Sequence, residues 1–539
     1  MITSIDDLQA LAEKKRAECA ENSSELRVCA GTSCLSLGSS ELKKSLQDEI
    51  QSRGLNDSCN IKSVGCNGLC ANGTLVSYCT KDKSKSTFYE RVTSGDASGL
   101  VDSIQNGTPL EDRMCDISQP FFTYQKKIVL ENIGIIDPDD IEDYIAHGGY
   151  LSLFRALDEM SPKDVIEEVK ISGLRGRGGG GYPTGIKWES VSKVLSEQKY
   201  IICNGDEGDP GAFMDRAVME SDPHRILEGM AIAGYACGAN KGYIYVRAEY
   251  PLAVDKLNRA IKQATKLGIL GENIAHSNFS FNIEVRLGAG AFVCGEATAL
   301  IASIEGNRGN PRQKPPHLSD YGLWGEPTVL NNVETFANIA PIIKNGGAWY
   351  KSIGTESSSG TKVFALTGHI QNTGLVEVPM GTTLRELIFD IGGGVPDGKK
   401  FKAIQSGGPS GGCIPESLLD LHVDYESLKN AGSIMGSGGL IVIDDSSNMV
   451  EIARFFMDFC RSESCGKCTP CRVGTTELTL LLDKFINKKA TKSDFELLKE
   501  MCKIVKSASL CGLGQTAPNP VLSTIKYFED EYLAGIRDD

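Results

Sequence analysis

The sequence predicts an α/β multidomain protein: a small α/β unit, a longer α/β layer region, a β-grasp-like module and a C-terminal helical bundle with a cysteine cluster. Three observations lead there. The 539 residues exceed what one hydrophobic core organises, so two to four domains are expected. Helical segments alternate with short apolar strands such as KYIICNGDEG and KGYIYVRAEY, the pattern of a layered α/β fold. Beyond about residue 440 the strands give way to amphipathic helices.

Residues 1–115 form the first unit. MITSIDDLQALAEKKRAE reads as a soluble helix, and ELRVCAGTSC opens as a strand. SSELKKSLQDEIQSRG has helical periodicity with a Ser start and a Gly stop, while CNIKSVGC and TLVSYC read as strands. The polar GTPLEDRMCDISQP reads as a linker. Residues 116–345 carry the α/β alternation and Gly-rich loops. Within 346–438, TKVFALTGHIQNTGLVEVPMGTTLRELIFDIGGG reads as strand, turn, strand, helix. Residues 439–539 hold MVEIARFFMDFC, TTELTLLLDKFI, SDFELLKEMCKIV and NPVLSTIKYFEDEYLAGI, a bundle of amphipathic helices.

The formal net charge of -14 argues against a nucleic-acid surface, which needs a basic stripe, and against docking on anionic lipid. The N-terminus lacks the apolar core of a signal peptide, and no apolar run is long enough to span a bilayer. A cytoplasmic protein with no direct membrane insertion is expected. In that compartment thiols stay reduced, so 18 cysteines point to metal or redox chemistry rather than disulfides. Cys19, Cys59, Cys79, Cys115, Cys203, Cys237 and Cys502 lie singly, and Cys460 belongs to a helix; these read as core or surface residues.

Cys465, Cys468 and Cys471 are each two residues apart in ESCGKCTPCR, and Cys511 follows in SLCGLGQ. One tight loop plus one remote thiolate suits a 4Fe–4S cubane, with Lys467 and Arg472 offsetting its charge. Structural zinc shares such spacings. Cys29 and Cys34, with Cys66 and Cys70, close two strands and open two Gly-containing turns. Two pairs on neighbouring loops suit a 2Fe–2S rhomb, with zinc again the alternative.

GLRGRGGGGYPTGIKWE, residues 173–189, lets backbone approach a flat or phosphorylated ligand, with Arg175, Arg177 and Lys187 supplying positive charge. It is neither a Walker A loop nor a Rossmann fingerprint. NGDEGDPGAFMDR places Asn204, Asp206, Glu207 and Asp209 where an apolar strand ends, suited to a cation or to ligand hydroxyls. LGAGAFVCGEATAL brings Gly295 and Glu296 before a helix. In PTVLNNVETFANIA, Asn331 and Asn332 precede a helix with Thr335 in its first turn; this is a phosphate seat or a plain N-cap.

In order, RGRGGGGYPTGIKW, CNGDEGDPGAFMDR, GAGAFVCGEATAL, PTVLNNVET and ESCGKCTPCRVG resemble the flavoprotein (NADH-binding) subunit of respiratory complex I. The resemblance extends to the diaphorase subunits of NAD-linked formate dehydrogenases and of electron-bifurcating iron hydrogenases and transhydrogenases, and covers nearly the whole chain. It implies FMN contacts from Gly176, Gly178, Lys187, Asn204, Asp206, Gly295, Glu296, Asn331, Asn332 and Thr335, with Glu296 tuning the flavin or bonding the ligand. It implies NAD contacts from Tyr182, Asp209 and Lys314, a 4Fe–4S cluster on Cys465, Cys468, Cys471 and Cys511, and a thioredoxin-like 2Fe–2S domain at the N-terminus holding Cys29, Cys34, Cys66 and Cys70. The β-grasp module resembles the family's soluble-ligand-binding-type domain.

The implied activity is hydride transfer between NAD(H) and FMN, then single-electron transfer to the clusters. A small 2Fe–2S subunit and a larger catalytic subunit are the expected partners, in a complex of the sort that can bifurcate electrons. The departures from the family pattern fall on the nicotinamide side: Ser190 for an aromatic, Ala297 for a second Glu, His317 for an aromatic. They motivate the alternative of a flavin that exchanges electrons only with partner clusters.

Overall fold

The computed structural model describes residues 1–20, 24–81 and 85–537; the side chain of Cys19 lies outside the described set. In the first unit β1 (Ser24–Cys29) pairs parallel with β2 (Cys59–Val64) and antiparallel with β3 (Val76–Cys79), which pairs antiparallel with β4 (Ser86–Tyr89). Leu26 and Val28, alternate residues of β1, point to one face. There the helices Ser39–Ser52 and Ala97–Asn106 cover them with Leu42, Leu46, Ile50, Leu100 and Val101. The sheet order β2-β1-β3-β4 is the thioredoxin-like arrangement expected.

The helix Ile5–Ala20 departs from the expected 1–115 unit. Ile2, Leu8 and Ala12 are buried in the core of the second region, and Arg16 donates to the Ala146 carbonyl at 2.8 Å. Nor is the segment after residue 107 a free linker. Met114 bridges Tyr89, and the Cys115 N–H donates to the Phe88 carbonyl.

The second region is built on a parallel sheet of β5 (Tyr200–Gly205), β6 (Lys241–Arg247), β7 (Asn282–Gly288) and β8 (Thr328–Asn332), in the order β7-β6-β5-β8. The crossover helix Pro223–Cys237 is buried along almost its whole length, as a parallel sheet requires of its cover. The chain runs outward from β5 to β7, then returns to the other side of β5 as β8. That reversal leaves a crevice at the carboxyl ends of β5 and β8, where open α/β sheets bind ligands.

The third module is a mixed sheet of β9 (Thr361–Gly368), β10 (Gly374–Pro379), β11 (Phe401–Ser406), β12 (Gly412–Pro415) and β13 (Gly439–Asp444). Its order is β10-β9-β13-β11-β12, with β13 parallel to β9, the β-grasp arrangement. β13 is thus its central strand, although the sequence pattern groups residues 439–444 with the bundle. Two buried carboxylates join this sheet to the second region. Glu334 pairs with Lys362, and Glu377 accepts the backbone N–H groups of Ile128, Val129 and Leu130.

The helices Met449–Ser462, Thr469–Ile486, Lys492–Ala508 and Asn519–Leu533 close the chain around Leu478, Leu482, Leu498, Val521 and Tyr532. Among the described residues no helix is long and apolar enough to cross a membrane.

Candidate functional site

The crevice gathers the polar ends of β5 and β8 and two Gly-rich loops. Asn204 donates from Nδ2 to the Gly295 carbonyl at 3.0 Å and accepts the Asp206 N–H at 3.0 Å. A Cβ on Gly295 would stand 3.5 Å from the Asp206 carboxylate, so these three residues share one wall. Both Asp206 carboxylate oxygens are buried without a partner, and burial pushes this carboxyl up to about 7. On the β8 side Lys187 donates from Nζ to the Leu330 carbonyl at 2.8 Å and to Asn331 Oδ1 at 3.0 Å. Burial, helped by the charge of Lys314, lowers the Lys187 ammonium to about 8. Asn331 Nδ2 is buried and unpartnered.

Asn332 is an N-cap. Its Oδ1 accepts the Glu334 N–H of the helix Val333–Ala337, and its Nδ2 donates to Asp215 at 2.5 Å. A Cβ on Gly178 would come within 2.9 Å of the Asn332 Cβ, so only glycine lets the loop lie so close. Gly179, at φ +111, meets the Gly436 backbone in the same way. Thr335 is fully buried, its hydroxyl accepting the Arg177 N–H at 2.9 Å.

Arg175 and Arg177 do not serve the loop as ligand cations. The Arg177 guanidinium is buried and donates to the carbonyls of Thr361, Arg175 and Ser359 and to the Tyr350 hydroxyl. Arg175 lies over the Tyr425 ring and pairs with Glu426 at 2.6 Å. Both tie the loop to the β-grasp module, and Tyr425 adds a hydrogen bond to the Gly176 carbonyl at 2.8 Å. Tyr425 is distant in sequence and carried no local signal.

Glu296 caps the helix Ala297–Ile304, accepting the N–H groups of Thr298 and Ala299, while its other oxygen accepts Lys314 Nζ at 2.8 Å. Burial would raise its carboxyl, but Lys314 and Thr298 outweigh that and hold it low. Of the other residues expected at the nicotinamide, Tyr182 is exposed, and Asp209 accepts the Ser437 hydroxyl at 2.6 Å, with burial raising it to about 6. Ser190 is exposed and donates to the Ile186 carbonyl of its own helix; His317 is exposed too.

Cys465, Cys468, Cys471 and Cys511 line one small cavity with Val293, Pro311 and Leu513. Ser464 Oγ lies 3.3 Å from Cys471 Sγ, and the Leu510 N–H donates to Cys468 Sγ at 3.5 Å. Lys467 donates to the Pro311 carbonyl and Arg472 to the Gly466 carbonyl, so both cations also brace the loop. Among the described residues no three His, Cys, Asp or Glu side chains converge as a single metal ion needs. Four thiolates around a cavity are what a cubane needs, one sulfur per iron. One short 3-10 turn, Phe292–Gly295, joins cavity and crevice: Val293 lines the first and Gly295 the second. Glu463, unremarked in the sequence, secures it by accepting the Phe292 N–H at 2.8 Å.

In the first unit Cys66 Sγ and Cys70 Sγ stand 3.6 Å apart. Two thiolates on one tetrahedral metal at ~2.3 Å would sit roughly 3.8 Å apart. Hydrogen bonds from Cys34 and Cys66 hold the Cys29 thiol well below its ordinary range, and push the Cys34 and Cys66 thiols up.

Residues 169–341 match the Nuo51 FMN-binding domain, 363–414 the SLBB domain, and 451–535 the NADH-ubiquinone oxidoreductase-F iron-sulfur binding region. The F subunit of the NADH-quinone oxidoreductase of Escherichia coli K12 is 42% identical over 399 residues, 74% of this chain and 90% of that protein. The chain belongs to the family of NADH-quinone oxidoreductase F subunits. A second relative, the NADP-reducing hydrogenase subunit HndC of Solidesulfovibrio fructosivorans, is 57% identical over 414 residues, 77% of this chain and 84% of that one. A chain of the crystal structure of an NAD+-reducing NiFe hydrogenase in the H2-reduced state superposes with a TM-score of 0.69 at 28% identity, covering 99% of this chain and 90% of that one.

The crevice fits the FMN of the matched domain. Asp206 and the Asn331 amide are buried polar groups without partners, Lys187 is a cation held below its ordinary range, and glycines clear the wall between them.

Proposed function

We propose that this chain takes a hydride from a reduced nicotinamide dinucleotide at the glycine-lined crevice and delivers the electrons singly to a 4Fe–4S cluster on Cys465, Cys468, Cys471 and Cys511. It then hands them on within a multi-subunit oxidoreductase complex. The observation that carries this reading is the Phe292–Gly295 turn, whose two ends wall the crevice and the cysteine cavity. FMN, when bound, supplies the change from two-electron to one-electron transfer.

The residues bind and orient. Lys187 brings the cation, Asn204 and Asn331 present amides, Asp206 presents a carboxylate, and Gly176, Gly178 and Gly295 let backbone approach. Asn332 and Thr335 hold the loop in place, and Glu296 with Lys314 forms a charged rim. Tyr182, Asp209 and Lys314 serve the dinucleotide. Cys29, Cys34, Cys66 and Cys70 hold a 2Fe–2S cluster. A small 2Fe–2S subunit and a larger catalytic subunit complete the assembly, in the cytoplasm.

A second reading, with flavin exchanging electrons only with partner clusters, is favoured by Ser190, whose hydroxyl is turned back on its own helix and offers no stacking face. Anaerobic rapid mixing of the FMN-replete complex with NADH separates the two, with NADPH run alongside because one relative is named as NADP-reducing. Bleaching of the flavin absorbance is expected. Flavin that dithionite bleaches but neither nucleotide does would overturn the first reading and leave the second.

A further inference from the structure

Both loops that carry the N-terminal cysteines are held by two consecutive residues at the end of the helix Met214–Ser221. Glu220 is buried; one of its oxygens accepts the Thr32 N–H at 3.1 Å and the other the Thr32 hydroxyl at 2.5 Å, between Cys29 and Cys34. Ser221 Oγ accepts the Cys66 N–H at 3.0 Å. The fit is close, since a Cβ on Gly65 would fall 2.1 Å from the Ser221 Cβ. From the other side the Leu375 N–H donates to the Gly68 carbonyl at 2.7 Å, and the Ala71 N–H donates to the Thr373 carbonyl at 3.0 Å.

The opposite end of this helix is built into the crevice. Glu207 accepts the N–H groups of Asp215 and Arg216 at 3.0 Å, and Asp215 accepts the Asn332 amide. Asp215 and Ser221 are six residues apart, ~9 Å of helix.

We propose that the helix Met214–Ser221 is a rigid strut fixing the N-terminal cluster behind the flavin crevice, with Glu220 as the positioning residue of the Cys29–Cys34 loop. This rests on the reading of Cys29, Cys34, Cys66 and Cys70 as 2Fe–2S ligands. Glu220 does two separable things. Its oxygens hold Thr32, which lies two residues from Cys34 and three from Cys29 in the chain, and so bring a buried charge to that loop, with Arg216 4.0 Å away as the paired cation. A buried negative charge opposes adding an electron nearby.

The test uses full-length chain purified without air, reduced with dithionite and followed by electron paramagnetic resonance. E220Q keeps an oxygen for the Thr32 N–H and loses the charge. Its 2Fe–2S signal is expected to keep its line shape while the midpoint potential shifts positive. E220A loses the tether, and its line shape should change while amide exchange across residues 30–36 rises at least tenfold. An E220Q potential equal to wild type, or an E220A chain matching wild type in line shape and exchange, overturns the proposal. Should E220A fail to fold, the E220Q potential decides alone. A wild-type chain with no 2Fe–2S signal removes the cluster reading and the proposal with it, whereas bleaching by NADH reports separately on the crevice.

Discussion

Replacing Lys187 with methionine should abolish a pH dependence that the native chain shows in flavin binding. Burial, with the Lys314 charge, lowers the Lys187 ammonium from 10.5 to about 8. The difference of about 2.5 units corresponds to about 3 kcal/mol of disfavoured charge. The folded pKa is depressed, so between about pH 8 and 10 the unfolded chain binds more protons, and the apo protein gains stability as pH rises through that window. A ligand that brings negative charge restores the ammonium, so binding takes up a proton above pH 8. If FMN restores the full range, the fall in affinity approaches tenfold per unit above pH 8 and amounts to roughly 15-fold from about pH 8 to 9.5. Flavin fluorescence quenching on titration into apo protein measures this directly. K187M should bind more weakly at neutral pH and lose the slope. A native affinity that stays flat over this range, or a K187M chain that keeps the slope, would refute the reasoning.

Three further outcomes follow from the packing. C511S removes one of the four thiols around the cysteine cavity, so iron bound at the C-terminal cluster should be lost while flavin stays; iron analysis with visible spectra reads both. G65A forces a methyl against Ser221 and should loosen the N-terminal unit by about 1–3 kcal/mol, seen as faster limited proteolysis between residues 24 and 115. K362M strands the buried Glu334 carboxylate and should cost about 3–5 kcal/mol in thermal unfolding, much of it recovered in E334L/K362M.

The crevice is legible because its residues sit at punctuation marks. Asn204 and Asp206 follow an apolar strand, Asn331 and Asn332 precede a helix, and glycines gather where backbone must pass close. The cysteine loop is legible from spacing alone. What the sequence hides is long-range. Arg177 looks like a ligand cation until its carbonyl acceptors, up to 184 residues away, are known. GLIVID is a short apolar run just ahead of the helices, and only its pairing with β9 and β11 makes it the centre of a sheet. The first helix carries only Ile5, Leu8 and Leu11 as large aliphatic residues, and nothing local tells which core Leu8 enters.

The pinning of β10 by the Gly68–Ala71 loop bears on solubility. β10 is the outermost strand of its sheet, and its first residues meet that loop through the Leu375 N–H and the neighbouring Thr373 carbonyl. An uncovered strand margin invites another chain to extend the sheet. A version trimmed of its first hundred residues would bare the start of that margin at Leu375, although the Lys126 N–H would still meet the Glu377 carbonyl, and self-association through the first residues of β10 should accompany the loss of the N-terminal cysteines.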